Sequence, residues 1–502
     1  MKITLGKQSR NLFTLLLVSM YSLLAIGQDS IHHLIVGKRT PIRLQSIGTE
    51  LDPFFFSQNL KREDGSKAED WDNIVIKRVQ AMKLQSLRIM VLPQWYEPLN
   101  DDTIPHHINW EKFTFNTIEM QSLYKVLDMA EQEQIRVTLV LWGASPKHFL
   151  AEGNFGGWMI APTDIQEWCE NFSALVQYLL KEKKYTCIKE VTPINEPDWS
   201  YIVQGKKASV EEYIQLCKTL DMRFKKDGIR HKVNFNLSDN SDGNTGTHEY
   251  LNACTDKLSD TADLFNSHTY IFGYETPNSD IFKWECENVR LAAICNKKHF
   301  VGEFGGNQCI GASRQKDIDL YERGVLMARI IINLLNAGAS GVSYWSLIDQ
   351  YYENPSYDSM QQLGLWKYVK KAYASEAYYE QIKSDYEVRP QYHAYSLFTR
   401  FIRPGAEIYP IFTLEEWYAG TAIRNKDRKW VYAFVNADKD AKSISITNKY
   451  NKNKNKYQIY YYIKERLPEA DKMIISHSSL LQINEKMKLE LPPNSVVFLN
   501  EE

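Results

Sequence analysis

The chain has 502 residues, 44% of them hydrophobic, which is more than one small domain needs and suits a barrel of ordinary enzyme size plus an accessory domain of about a hundred residues. A formal net charge of −2 leaves no electrostatic footprint for nucleic acid or anionic lipid. Mean hydropathy of −0.43 excludes a polytopic membrane protein.

At the start of the chain, Lys2, Lys7 and Arg10 precede an apolar stretch from Asn11 to Ile26, and Ala25-Ile26-Gly27 offers small residues where a signal peptidase reads. Residues 1–27 are therefore expected to be an export signal, and the mature chain secreted or periplasmic. An uncleaved anchor is the alternative, although the apolar stretch is short for a spanning helix. Eight apolar runs bounded by turn residues then read as strands: Ile42–Ile47, Ser86–Val91, Arg136–Trp142, Glu190–Ile194, Lys232–Leu237, Leu264–Ser267, His299–Gly302 and Gly341–Trp345. Helix-like segments lie between them, among them Trp110–Gln134, Asp164–Lys184, Val210–Lys226 and Gln315–Ala337. In the second of these, Phe172, Leu175, Val176, Leu179 and Leu180 fall on one face. Alternating strand and helix implies parallel strands with crossover helices, and eight such units predict a (β/α)8 barrel over residues 28–386. No G-x-G-x-x-G follows the first strand, which counts against a dinucleotide fold.

From about Glu387 the texture changes to short β-rich runs between polar turns: Glu407–Phe412, Trp430–Val435, Ser443–Ile446, Tyr457–Ile463, Met473–Ile475 and Ser495–Leu499. This predicts an antiparallel β-sandwich over residues 387–502, with Asn451–Lys456 as a solvated hairpin tip and His32–Pro41 as a source of one further strand. Seven cysteines, Cys169, Cys187, Cys217, Cys254, Cys286, Cys295 and Cys309, follow no zinc-type spacing; an odd count leaves at least one thiol free or bonded to another chain.

Functional side chains in such a barrel project from the C-terminal ends of the strands. The fourth strand closes with Val-Thr-Pro-Ile-Asn-Glu-Pro-Asp-Trp (191–199) and the seventh with Phe-Val-Gly-Glu-Phe-Gly-Gly-Asn (300–307). Each places one carboxylate, Glu196 or Glu303, where backbone leaves the strand. Strands four and seven lie across the barrel mouth from each other, so the two side chains can meet. Cleaving a glycosidic bond needs a proton donor at the leaving oxygen and a carboxylate beneath the anomeric carbon, about 5–5.5 Å apart for retention and roughly 6.5–9.5 Å for inversion. Taken singly, each motif also fits a solvent-exposed turn; the pairing points to chemistry. The 12 Trp and 30 Tyr agree with a carbohydrate partner, since sugar C–H faces stack on aromatic rings, although large cores consume aromatics too.

These motifs resemble those of the large clan of (β/α)8 retaining glycoside hydrolases, and most of all glycoside hydrolase family 30, whose members join such a barrel to a β-sandwich. The resemblance is carried by Gly143-Ala144-Ser145-Pro146 with Gly157-Trp158-Met159, by Thr192-Pro193-Ile194-Asn195-Glu196-Pro197, and by Tyr344-Trp345-Ser346-Leu347-Ile348-Asp349. It departs at Ser145-Pro146-Lys147-His148, where family members often carry a Trp-rich loop, and families 5 and 39 of the same clan remain open. The resemblance implies a retaining β-glycosidase with Glu196 as acid/base and Glu303 as nucleophile, and no cofactor or metal. It also implies that Asn195 contacts the sugar 2-hydroxyl or the nucleophile, that Arg88 is a buried cation beside Glu303, and that His268 or Tyr270, after strand six, hydrogen-bonds it. Trp345 resembles the floor of the sugar subsite, and Trp142, Trp199 and Trp95 are further platforms. A barrel that binds glycan without cleaving it is the competing reading.

Other signals are weak. Val36-Gly37-Lys38-Arg39-Thr40 lacks the earlier glycine of a phosphate loop. His32-His33 and His106-His107 are adjacent pairs, poorly placed to converge on one metal. Asp239–Asp242 lacks calcium-loop spacing and reads as a polar loop on the active face after strand five. No Gly-x-Ser-x-Gly elbow is present.

Overall fold

The computed structural model describes residues 31–52, 71–100, 102, 104, 107–142, 164–200, 202–203, 206–244, 246–306, 317–351, 360–367, 386–413, 415–482 and 485–502. The expected export signal, the Gly143–Pro146 and Gly157–Met159 segments and Cys309 lie outside these residues. Eight parallel strands close into a barrel, each paired with its neighbours in sequence: Ser46–Glu50, Ser86–Val91, Arg136–Leu141, Ile188–Thr192, Asn234–Asn240, Leu264–Ile271, Lys298–Gly306 and Gly341–Tyr344. They are called strands one to eight below. Every expected strand is present, with the first displaced from Ile42–Ile47 to Ser46–Glu50.

A helix follows each strand, from Lys77–Met82 after the first to Pro390–Phe401 after the eighth. Local chemistry sets their limits. Ser209 and Glu212 form a reciprocal capping box that starts Val210–Lys226, and Asp164 accepts two backbone N–H groups at the start of Ile165–Gln177. Gly338, at φ +105°, ends Tyr321–Ala337 in a conformation that favours glycine. The expected helix Trp110–Gln134 is shorter, Ile118–Gln132, with Thr117 as its cap. At the N-terminal end of the barrel, buried Glu190 accepts from Arg136 and Gln45, a polar plug on the face opposite the strand ends.

The last helix, Pro390–Phe401, packs on Tyr321–Ala337 and lies beyond residue 387, where the sequence texture changes; the antiparallel strands begin at Glu407. Six of these strands form one sheet, in the order Glu407–Ile411, Tyr418–Arg424, Trp430–Asn436, Ser495–Glu501, Lys456–Tyr462, Ser478–Leu481. His32–Ile35, Lys442–Thr447 and Lys486–Leu491 form the second sheet, so the segment before the barrel does supply a strand, paired parallel to Lys442–Thr447. Strand Trp430–Asn436 is buried throughout because its period-two alternation serves two cores. Trp430, Tyr432 and Phe434 pack with the small sheet, while Val431, Ala433 and Val435 join the barrel core. The sandwich is thereby fixed to the barrel by apolar burial.

Two expectations fail in this region. Met473–Ile475 forms no strand; pairing falls to Ser478–Leu481 instead. Residues 451–455 are not a hairpin tip but cross from one sheet to the other, and Asn451 is buried, donating to the Tyr457 hydroxyl and to Gln482. The six cysteines among the described residues are all free thiols.

Candidate active site

Strand four ends at Thr192, and the chain continues through Pro193-Ile194-Asn195-Glu196 into the one-turn helix Pro197–Ser200. Proline suits that first helical position because its missing N–H would have no helical partner there. The Trp199 N–H closes the turn on the Glu196 carbonyl at 2.8 Å. Glu196 itself sits at φ +42°, a left-handed conformation that a non-glycine residue holds only where its surroundings enforce it. On the other side of the mouth, strand seven slips register against strand six between Val301 and Glu303. Such a bulge re-aims a side chain, here the Glu303 carboxylate. Gly302 lies within the slip, where an added Cβ would stand 2.4 Å from Asn266 Oδ1 and would have to displace that buried amide. Strand five slips likewise between Ser238 and Asn240, and Asp239 is left-handed at φ +48°.

These distortions converge seven polar side chains. Arg88, on strand two, donates to Glu303 Oε1 at 2.6 Å, to Asn195 Oδ1 at 2.7 Å and to Asp239 Oδ2 at 2.7 Å. The Tyr270 hydroxyl donates to Glu303 Oε2 at 2.6 Å. His268 bridges the two glutamates, its Nδ1 lying 2.8 Å from Glu196 Oε1 and 3.4 Å from Glu303 Oε2, while its Nε2 faces Asp239 Oδ1 at 3.2 Å. Glu303 is the deeper carboxylate, with 5% of its side chain exposed against 18% for Glu196.

Burial would drive protons off His268, but Glu303 and Asp239 outweigh it and push the imidazole up to about 10. Both ring nitrogens then donate. Burial would likewise favour a protonated Asp239, yet Arg88 and His268 hold it below the usual carboxylate range. For Arg88, burial opposes the charge and Asp239, Glu303 and Glu50 restore it. Burial pushes the Glu303 carboxyl up, with Glu196 adding to the push; His268, Arg88 and the Tyr270 hydrogen bond pull the other way, and it stays above its ordinary value. Desolvation and the nearby Glu303 carboxylate raise the Tyr270 hydroxyl well above the usual phenol range, so it remains a donor.

The structure thus brings together Glu196, Glu303, Asn195, Arg88, His268 and Tyr270. Asn195 contacts Arg88 rather than reaching Glu303 directly. His268 and Tyr270 stand within strand six, which is longer than expected, and Tyr270 makes the shorter bond to Glu303. Trp142 and Trp345 directly follow strands three and eight, 6% and 7% exposed, whereas Trp199 is 62% exposed beside Glu196. Trp95 is buried in the short turn Pro93–Trp95. The residue missed is Asp239. Its run of polar residues after strand five was legible, but the pairing with Arg88 and His268 depends on the strand-five bulge. Burial also pushes Asp198 up to about 6, against three hydrogen bonds from Ser241.

One atom each from Glu196, His268 and Glu303 lies within 4.8 Å of the other two. These are ligand types for a divalent cation. However, they are already bonded to one another, and the buried Arg88 guanidinium beside Glu303 opposes a second cation.

The described residues form a closed parallel barrel with a β-sandwich and bring two carboxyl groups together at the C-terminal mouth of the barrel. Solved structures similar to this chain agree in fold. A family 30 endoxylanase from Clostridium papyrosolvens matches with a TM-score of 0.63 and 13% identity, over 94% of this chain and 100% of that one. The catalytic domain of a family 30 xylanase from Talaromyces cellulolyticus gives 0.64 and 16%, over 94% and 100%. An endo-β1,6-glucanase gives 0.61 and 12%, over 95% of each chain. No protein-family model and no curated protein sequence matches.

Proposed function

We propose that this chain is a secreted retaining β-glycoside hydrolase, with Glu303 as nucleophile and Glu196 as acid/base. The observation that carries the reading is the approach of the two carboxyl groups across the barrel mouth, one oxygen of each within 4.8 Å of the other. That spacing favours double displacement, which holds the two groups about 5–5.5 Å apart, over inversion, which needs roughly 6.5–9.5 Å. Glu303 sits among Arg88, Tyr270 and His268, which favour its negative charge; the more exposed Glu196 can reach both the leaving oxygen and an incoming water. Glu303 attacks the anomeric carbon while Glu196 gives its proton to the departing oxygen, forming a glycosyl-enzyme. Glu196 then takes a proton from water as that water displaces Glu303.

Arg88 favours the ionised nucleophile, and Asn195 lies within reach of the same centre through it. Trp345, Trp142 and Trp199 are the platforms assigned to sugar stacking. The substrate class assigned is a β-linked polysaccharide, supported by the resemblance at Asn195-Glu196-Pro197 and by the xylanase and glucanase folds that this chain shares. Export rests on the basic and apolar residues of 1–27.

The test is a pair of variants assayed on aryl β-glycosides. Glu303→Ala is expected to lose turnover on every substrate. Glu196→Ala is expected to lose it on poor leaving groups while retaining it on activated ones, because only the former need protonation. Equal residual activity in both variants on an activated glycoside would refute the division of roles, and proton NMR of an inverted first product would refute retention.

A further inference from the structure

We infer that Asp198 is a positioning residue that holds the Glu196 turn in its working geometry by clasping Ser241, an inference that rests on the glycosidase reading above. Ladder pairing between strands four and five stops at Val191 with Phe235, and the Thr192 hydroxyl adds one bond to the Asn236 carbonyl. Beyond that point the turn carrying Glu196 has parted from strand five, which itself stays paired with strand six as far as Asn240. Asp198 rejoins them. Its Oδ1 accepts the Ser241 N–H at 2.8 Å, and its Oδ2 accepts the same N–H at 3.0 Å and the Ser241 hydroxyl at 2.7 Å.

Such a clasp is needed on physical grounds. A helix of four residues, Pro197–Ser200, is far below the length that sustains itself. The left-handed backbone at Glu196 is a costly conformation that persists only when neighbouring contacts over-determine it. Asp198 follows Glu196 by two residues, and Ser241 follows Asp239 by two, so each partner stands next to a group of the site. Asp198 is 9% exposed, and hydrogen bonds to an ionised acceptor in so dry a place are strong and directional. Asp198 therefore ties the proton donor to the frame that already holds Asp239, Arg88 and His268.

A role exercised through Glu196 has a signature that a general structural role lacks. Misplacing an acid by about 1 Å matters only where the leaving group needs a proton. Asp198→Ala and Ser241→Ala are compared with the unsubstituted chain on two glycosides of one sugar, with a dinitrophenyl and an unactivated alkyl leaving group. For Asp198→Ala, kcat/KM on the alkyl glycoside is expected to fall roughly 100-fold, with a change of no more than a few-fold on the dinitrophenyl glycoside. Ser241→Ala keeps the backbone bonds and should shift the same way by less; it decides the matter if Asp198→Ala does not fold. Equal losses on both substrates, or no loss, overturn the inference alone. An unsubstituted chain inert towards a full panel of aryl glycosides overturns the glycosidase reading, and the inference with it.

Discussion

Replacing Tyr270 by Phe removes one oxygen from the site and little else, which makes it the sharpest probe of how Glu303 is tuned. The hydroxyl donates at 2.6 Å to Glu303 Oε2, the oxygen that also faces His268 and lies away from Arg88. A hydrogen bond to a charged group is worth about 1.5–3 kcal/mol net. Dividing by 1.36 kcal/mol per pH unit, its loss should raise the Glu303 pKa by about 1–2 units. Burial already holds that carboxyl above its ordinary value, so the change adds to an existing displacement. The sign follows from the role. A nucleophile must be ionised, activity disappears as pH falls through its pKa, and a higher pKa moves that loss to higher pH.

The assay is kcat/KM against pH on an activated aryl glycoside, with melting temperature as the check on folding. The acid limb of the Phe variant should lie about 1–2 units above that of the unsubstituted chain. In the proposed mechanism the same donor assists departure of Glu303 from the glycosyl-enzyme, so kcat limited by that step should fall about 10- to 150-fold. An acid limb that stays in place, or moves to lower pH, would show that Tyr270 does not stabilise the ionised carboxylate and that the hydrogen bond read from the geometry is not functional.

Further outcomes follow from the same geometry. Exhaustive treatment with a chelator should leave kcat/KM unchanged within error, because Arg88 and mutual hydrogen bonds occupy the groups that a cation would need; loss of activity restored by one added divalent metal would refute the two-carboxylate site. Arg389→Ala strips the cation from Asp349, with which Arg389 pairs at 2.6 Å in full burial, and should destabilise the chain by about 3–5 kcal/mol. Chemical denaturation measures this, and a loss below about 1 kcal/mol would mean that water or another donor replaces the guanidinium.

The sequence alone determined the barrel, because alternating apolar runs and amphipathic segments repeat eight times and each run has the composition of a buried strand. The strand-end positions of Glu196 and Glu303 were legible as well, since a carboxylate at a strand end carries its position in the local motif. The identity of Arg88 as the partner of Glu303 was readable only through resemblance. Strand six is expected to end at Ser267 because His268 and Thr269 are polar, yet both are buried and the strand runs on to Ile271. Met473–Ile475 was read as a strand because three apolar residues look like one, whereas ladder pairing chose Ser478–Leu481. What tertiary structure decided was the register slips in strands five and seven, the left-handed backbone at Glu196 and Asp239, and the clasp between Asp198 and Ser241. Bulges and cross-loop hydrogen bonds depend on which chain segment lies alongside. That information belongs to pairs of residues far apart in sequence, so no local pattern encodes it.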